Sequence, residues 1–194
     1  MKRTKIGSLD VVLAGGSDRE GGGDGPVVVL LHGFGAPGED LVSLFRVLEV
    51  PPGTRFVFPA AVLSLASEGY GPGRAGWRID MAALQRGDVR RLTTDVPAGL
   101  EEARAAVDAL LDEIETAWNV PPSRLVLGGF SQGAMLSLDV ALRRKSPPRG
   151  VALLSGSLIA EQEWRTLLAA PVQGPARAIF RRNLQRWWFA RIVT

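Results

Sequence analysis

The apolar residues of this 194-residue chain alternate between short dense runs and longer stretches where they recur every third or fourth position. Ser8-Leu9-Asp10-Val11-Val12-Leu13 alternates apolar with polar and predicts a strand. Pro26-Val27-Val28-Val29-Leu30-Leu31 is continuous and β-branched, the pattern of a strand buried on both faces of a parallel sheet. From Glu39 to about Leu48, the residues Leu41, Leu44, Phe45 and Leu48 share one face and predict a helix. Phe56-Val57-Phe58 reads as the next strand, ended by Pro59.

The clearest amphipathic helix runs from Pro97, which suits a first helical turn, to Trp118. Ala103, Val107, Leu110, Leu111, Ile114 and Trp118 form its apolar stripe, and Glu101, Glu102, Asp108, Asp112 and Glu113 cover the other face. Arg124 to Gly129 is a short strand, Phe130 to Gly133 a turn, and Ala134 to Lys145 a helix whose last three residues are basic, complementing the helix dipole. Gly150 to Ser155 is a further strand. Strand and helix alternate, so the fold class is α/β, a mostly parallel sheet flanked by helices. Two segments interrupt the pattern. Residues 15–25 hold six glycines and predict a flexible loop; no Lys-Ser/Thr follows at the spacing a phosphate-binding loop needs. Residues 60–80 predict a long irregular loop anchored by Tyr70 and Trp77.

Composition narrows the chemistry. There is no cysteine and one histidine, His32, which excludes disulfides, thiolate catalysis and multi-histidine metal sites. No metal and no cofactor is expected. No apolar run reaches the roughly 18–20 residues of a membrane span, and the basic start leads into no signal-peptide core. The expected location is cytoplasmic, and neither a membrane nor nucleic acid is an expected partner. The net charge of +3 is unevenly spread. Residues 1–170 hold 18 Lys and Arg against 20 Asp and Glu, whereas residues 171–194 hold five arginines and no acid.

Gly129-Phe130-Ser131-Gln132-Gly133 matches Gly-x-Ser-x-Gly between a buried strand and a helix. A serine on so tight a turn is held in a strained backbone, and flanking glycines remove side chains that would strike the neighbouring strand and helix. Its hydroxyl is presented at the helix N-terminus, where developing negative charge is favoured. Ser131 is therefore the candidate nucleophile. The backbone N–H of Gln132 is one candidate oxyanion donor, and the N–H of Phe34, in His32-Gly33-Phe34-Gly35 after an earlier strand, is the other.

Leu31-His32-Gly33-Phe34-Gly35 together with Gly129-Phe130-Ser131-Gln132-Gly133-Ala134 resembles the phospholipase/carboxylesterase family of α/β-hydrolases, which includes acyl-protein thioesterases. The resemblance covers roughly residues 26–160. It implies hydrolysis of small-molecule carboxylic esters or thioesters without a cofactor, with Ser131, Phe34 and Gln132 in the roles just given. It also implies a structural His32 under the loop, and it places Trp77 near the acyl pocket as a substrate-binding candidate.

A serine hydroxyl needs a base, which in this fold is a histidine oriented by an acid, in chain order Ser, acid, His. No histidine follows Ser131, and the acids after it are Asp139, Glu161 and Glu163. Asp139 lies two turns down the helix; Glu161 and Glu163 fall in a helix start or connection. No triad Asp or His is found. The family pattern breaks near Pro171, and two of five tryptophans appear together among the arginines beyond it. The expected organisation is an incomplete α/β-hydrolase domain over 1–170, missing its last strands, and an aberrant basic tail over 171–194. The favoured explanation is a truncation or frameshift. The alternatives are a non-catalytic hydrolase-like module using the tail for an anionic membrane or partner, and a genuine variant ending. Oligomeric state is not readable from the sequence.

Overall fold

The computed structural model describes residues 1–80, 82, 83, 86 and 93–169. Its centre is a six-stranded sheet ordered β1 (Lys2–Ile6), β2 (Leu9–Gly15), β4 (Arg55–Pro59), β3 (Val27–Leu31), β7 (Leu125–Phe130) and β8 (Gly150–Leu154). β1, β2 and β4 pair antiparallel, whereas β4, β3, β7 and β8 run parallel. Three α-helices are described: α1 (Leu100–Ala117), α2 (Gln132–Arg143) and α3 (Glu161–Ala169). This is a mostly parallel α/β sheet with flanking helices, the α/β-hydrolase architecture that the sequence predicts.

The two faces of the sheet bury separate apolar layers. On one, Val11, Leu13, Val27, Val29, Leu31, Leu125 and Leu127 meet the α1 stripe, α2 and Trp164. On the other, Val12, Ala14, Leu30, Phe56 and Phe58 meet Leu41, Leu44, Phe45 and Leu48. Pleating explains the division, because successive side chains point to opposite faces. β2 contributes to both layers, so it is buried on two faces rather than one.

Several elements differ from the sequence reading. β1 is a strand where only a basic start is expected. Lys2, Arg3 and Lys5 charge this edge strand, and Arg3 forms a bidentate pair with Glu39, 2.9 and 2.8 Å. Charged side chains are characteristic of protected edges. Residues 39–48 contain only a 3₁₀ turn, Val42–Arg46; Leu41 at its start offers no side-chain cap. The apolar side chains nevertheless pack on the face predicted for them. The glycine loop 15–25 is tied internally, with Asp18 accepting from the N–H groups of Glu20 and Gly22. Those bonds hold the Asp18 carboxyl below its ordinary pKa. The region 60–80 contains a small hairpin, β5 (Leu63–Ser64) with β6 (Arg74–Ala75), and the turn Ala66–Glu68. α1 begins three residues after Pro97, once Gly99 at φ +92° has turned the chain. α2 begins at Gln132 and stops at Arg143, two residues before Lys145; Arg144, in extended conformation, pairs with Asp108, Asp112 and Glu115 of α1.

No described helix is long and apolar enough to cross a membrane. The arginine-rich segment 171–194, and with it every reading of the tail, lies outside the described residues.

Candidate active site

The strands that carry the site are fixed by their burial. β7 is paired on both sides, to β3 and to β8, so its C-terminal end is held in the middle of the parallel half of the sheet. The chain then reverses into α2 at Ser131, whose φ of 52° and ψ of −114° lie in a region that a serine rarely adopts. Such a conformation costs on the order of 1–3 kcal/mol and persists only where the surroundings over-determine it. They do so here. The Ser131 N–H donates to the Leu154 carbonyl at the end of β8, 2.8 Å, and the Ser131 carbonyl accepts from Ala134 and Met135, 3.0 and 3.2 Å.

The glycines of the motif are explained by contact. A Cβ at Gly129 would lie 2.5 Å from the Leu31 carbonyl oxygen, and one at Gly133 would lie 2.1 Å from that same oxygen and 2.6 Å from the His32 oxygen. The start of α2 therefore presses on the end of β3 with no room for a side chain. Gln132 is the first residue of α2, so its N–H has no intrahelical partner and points out of the helix end.

The loop after β3 comes to the same place. A Cβ built on Gly33 would be 3.5 Å from the Ser131 Cβ and 3.2 Å from Cδ1 of Phe130. The loop is clamped from the far side by β6: the Gly35 N–H donates to the Arg74 carbonyl, 2.9 Å, and the Arg74 N–H donates to the Ala36 carbonyl, 3.0 Å. The Phe34 N–H makes no backbone hydrogen bond among the described residues. The structure thus brings Ser131, Gln132 and the Phe34 loop together at one end of the parallel strands.

His32 sits under this loop with 5% of its surface exposed. Its Nε2 accepts from the Ala61 N–H, 2.9 Å, which leaves Nδ1 as the protonated nitrogen, donating to the Gly33 carbonyl, 2.7 Å. Burial, the largest influence on the ring, pushes its pKa below the ordinary histidine value. A neutral ring with both nitrogens engaged holds the loop in place and offers no free lone pair to Ser131.

The acids after Ser131 are committed elsewhere. Asp139 is fully buried and accepts from Arg104 (2.7 Å), Arg143 (3.0 Å) and Trp164 Nε1 (2.8 Å), tying α1, α2 and α3 together. Glu163 pairs with Arg143, and Glu161 with Arg165.

One contribution is invisible to motif reasoning. The Gln132 side chain is buried, its Oε1 accepting from the Gly76 N–H (2.8 Å) and its Nε2 donating to the Trp77 carbonyl (2.9 Å). It fastens the 60–80 region to the elbow. The signal in the sequence is a long amide among small and apolar residues, at a position where only its backbone N–H is called for. Trp77 is 3% exposed and packs in the main core; its backbone, through Gln132, is what reaches the elbow. Trp77 also borders a surface cleft of about 310 Å³ with Val62, Leu63 and Glu102, which does not include Ser131. Arg74 is a second such contribution: its guanidinium donates to the Ala61 and Val62 carbonyls beside the His32 contact.

Comparison with known proteins identifies the family. Residues 21–177 match the family described as Phospholipase/Carboxylesterase. Acyl-protein thioesterase 1 of Cryptococcus neoformans var. neoformans is 31% identical over 129 residues, covering 66% of this chain and 52% of that protein. The crystal structure of esterase PE8 superposes with a TM-score of 0.67 at 31% identity, covering 81% of this chain and 68% of that one. A phospholipase/carboxylesterase from Dyadobacter fermentans gives a TM-score of 0.56 at 25% identity, covering 82% and 66%. The chain spans about half the length of the first curated relatives it matches.

Proposed function

The chain belongs to the phospholipase/carboxylesterase family, and from that premise we propose that it acts on carboxylic ester or thioester bonds through an acyl-enzyme on Ser131. The observation that carries this is the strained Ser131 at the N-terminus of α2, with the loop after β3 so close that a Cβ built on Gly33 would touch the Ser131 Cβ.

The steps follow from the groups present. The Ser131 oxygen attacks the substrate carbonyl carbon, and the carbonyl oxygen becomes an oxyanion. The N–H groups of Phe34 and Gln132 donate to it, at the positive end of α2. Collapse expels the alcohol or thiol and leaves an ester on Ser131, which water then cleaves to release the acid. Each half needs a proton removed, from Ser131 first and from water second. The chain's one histidine is occupied under the loop and the acids after Ser131 are ion-paired, so hydroxide or bulk water takes those protons. A triad enzyme stripped of its base retains roughly 10³–10⁴-fold over water from the oxyanion site and binding alone. Attack by Ser131 adds to that floor in this chain, and the added rate rises with hydroxide concentration rather than following a histidine titration.

Hydrolysis of p-nitrophenyl butyrate by the chain and by Ser131→Ala, from pH 6 to 9, tests the proposal. The expected result is slow release that increases with pH and falls in the variant to the level that the oxyanion site and binding supply alone. Equal rates for the two proteins would overturn it.

A further inference from the structure

We propose that Arg74 is a positioning residue for the oxyanion site: its guanidinium, acting through Ala61 and His32, sets the direction of the Phe34 N–H. The proposal rests on the reading of Ser131 as nucleophile and Phe34 as oxyanion donor. Arg74 lies in β6, outside both sequence motifs that define the site.

The connection runs through backbone groups. Nε of Arg74 donates to the Ala61 carbonyl, and Nη2 donates to the Val62 carbonyl, 3.1 Å. A guanidinium is a rigid planar fork, so gripping two successive carbonyls orients that stretch of backbone as well as holding it. Ala61 in turn donates its N–H to His32 Nε2, 2.9 Å. That bond needs the Nε2 lone pair, so the ring proton sits on Nδ1 and is donated to the Gly33 carbonyl, 2.7 Å. In the other neutral tautomer Nε2 would turn a proton towards the Ala61 N–H and Nδ1 a lone pair towards the Gly33 oxygen, and both bonds would be lost together.

The Gly33 carbonyl and the Phe34 N–H belong to one peptide, and no peptide bond among the described residues is cis. In a planar trans peptide the two groups point in opposite directions. Holding the carbonyl towards His32 therefore aims the Phe34 N–H away from it. The rest of the turn is tied separately: the Gly33 carbonyl also accepts from the Ala36 N–H, 3.3 Å, and the Arg74 backbone bonds to Gly35 and Ala36. Those backbone bonds do not depend on the Arg74 side chain. What the side chain adds is the placement of Ala61, and through it the tautomer of His32. Charge works in the same direction, since burial first and the Arg74 cation after it disfavour a second proton on the ring, while Asp40 favours one.

His32 is the chain's one histidine, so ¹⁵N-labelled protein reports a single imidazole. The test compares the full chain with Arg74→Met and Arg74→Lys at pH 7.5. It reads the two ring nitrogens, the Phe34 amide and the rate at which the Ser131 peptide gains a butyryl group from p-nitrophenyl butyrate. The parent should show a protonated Nδ1 and a hydrogen-bonded, unprotonated Nε2. In Arg74→Met the ring should move towards a mixture of tautomers and the Phe34 amide should shift. Acylation should slow about tenfold, a fraction of the roughly 100–1000-fold that losing a donor outright costs. Arg74→Lys keeps the charge without the fork and should fall between; Arg74→Gln takes the place of Arg74→Met should that variant not fold. A variant that loses stability while its ring nitrogens, Phe34 amide and acylation rate match the parent reduces Arg74 to a staple of the hairpin and overturns the proposal. So does an acylation rate that stays unchanged while the signals move. A parent that gains no butyryl group instead sinks the acyl-enzyme reading, and the His32 and Phe34 signals still decide whether Arg74 directs the N–H.

Discussion

Replacing Gln132 by leucine keeps the backbone N–H at the head of α2 and removes both side-chain bonds to the 76–77 backbone. The Gly76 N–H and Trp77 carbonyl are then left without those partners, and Gly76, Trp77 and Gln132 are all buried. A buried polar group left unpaired costs about 1–3 kcal/mol, so the pair costs about 2–6 kcal/mol, toward the lower end if the loop shifts to admit water. Against the 5–15 kcal/mol of a typical domain, that is a large loss. Urea denaturation followed by tryptophan fluorescence gives the stability, and hydrogen exchange at the Gly76 amide gives the local effect. The midpoint should fall and the Gly76 amide should lose protection, while amides in β3 keep their order of protection. A leucine variant within about 0.5 kcal/mol of the parent, with Gly76 still protected, would refute the reasoning and reduce Gln132 to its backbone N–H.

Further outcomes follow from the same geometry. Gly133→Ala places a methyl group 2.1 Å from the Leu31 oxygen, so β3 and α2 must separate; the expected loss is about 3 kcal/mol or more by urea denaturation, comparable to other severe core disruptions. Asp139→Ala leaves two guanidinium groups and the Trp164 N–H facing an empty acceptor site. It should cost about 3–5 kcal/mol, and a Tm unchanged within error would contradict that. His32 has a folded pKa below the unfolded value of about 6.5, so the unfolded chain takes up the proton first. Its contribution is therefore complete above about pH 6.5 and is lost as pH falls from there towards the folded pKa. Thermal melts at pH 7.5 and 5.5 should show a drop that His32→Gln abolishes; Asp18 and Glu39, also shifted downward, act at lower pH.

The parallel strands were legible because burial on both faces writes a continuous apolar run, as in Val27–Leu31. The elbow was legible because its glycines are demanded by contacts under 3 Å, a constraint no other residue type meets. β1 was missed because an edge strand takes charged residues and shows little apolar pattern. The helix expected at 39–48 failed for a different reason: a face of four apolar residues fixes which side packs, and says little about whether five residues close α or 3₁₀ hydrogen bonds. The clasp by Gln132 and the clamp by Arg74 were illegible because their partners are backbone groups some 56 and 12 residues distant in sequence, and backbone partners leave no residue-type signal. Trp77, which the family resemblance places near an acyl pocket, packs its side chain in the main core and borders a cleft that does not include Ser131.

The central claim is that Ser131 carries the acyl group. p-Nitrophenoxide is a far better leaving group than a serine alkoxide, so with such an ester formation of the acyl-enzyme outruns its hydrolysis and the intermediate accumulates. Incubating the protein with p-nitrophenyl butyrate, quenching in acid and mapping peptides by mass spectrometry tests this directly. The account predicts one butyryl group, slowly gained, on the peptide containing Ser131 and absent from Ser131→Ala. Butyryl groups confined to lysines, or equal labelling of the variant, would contradict it.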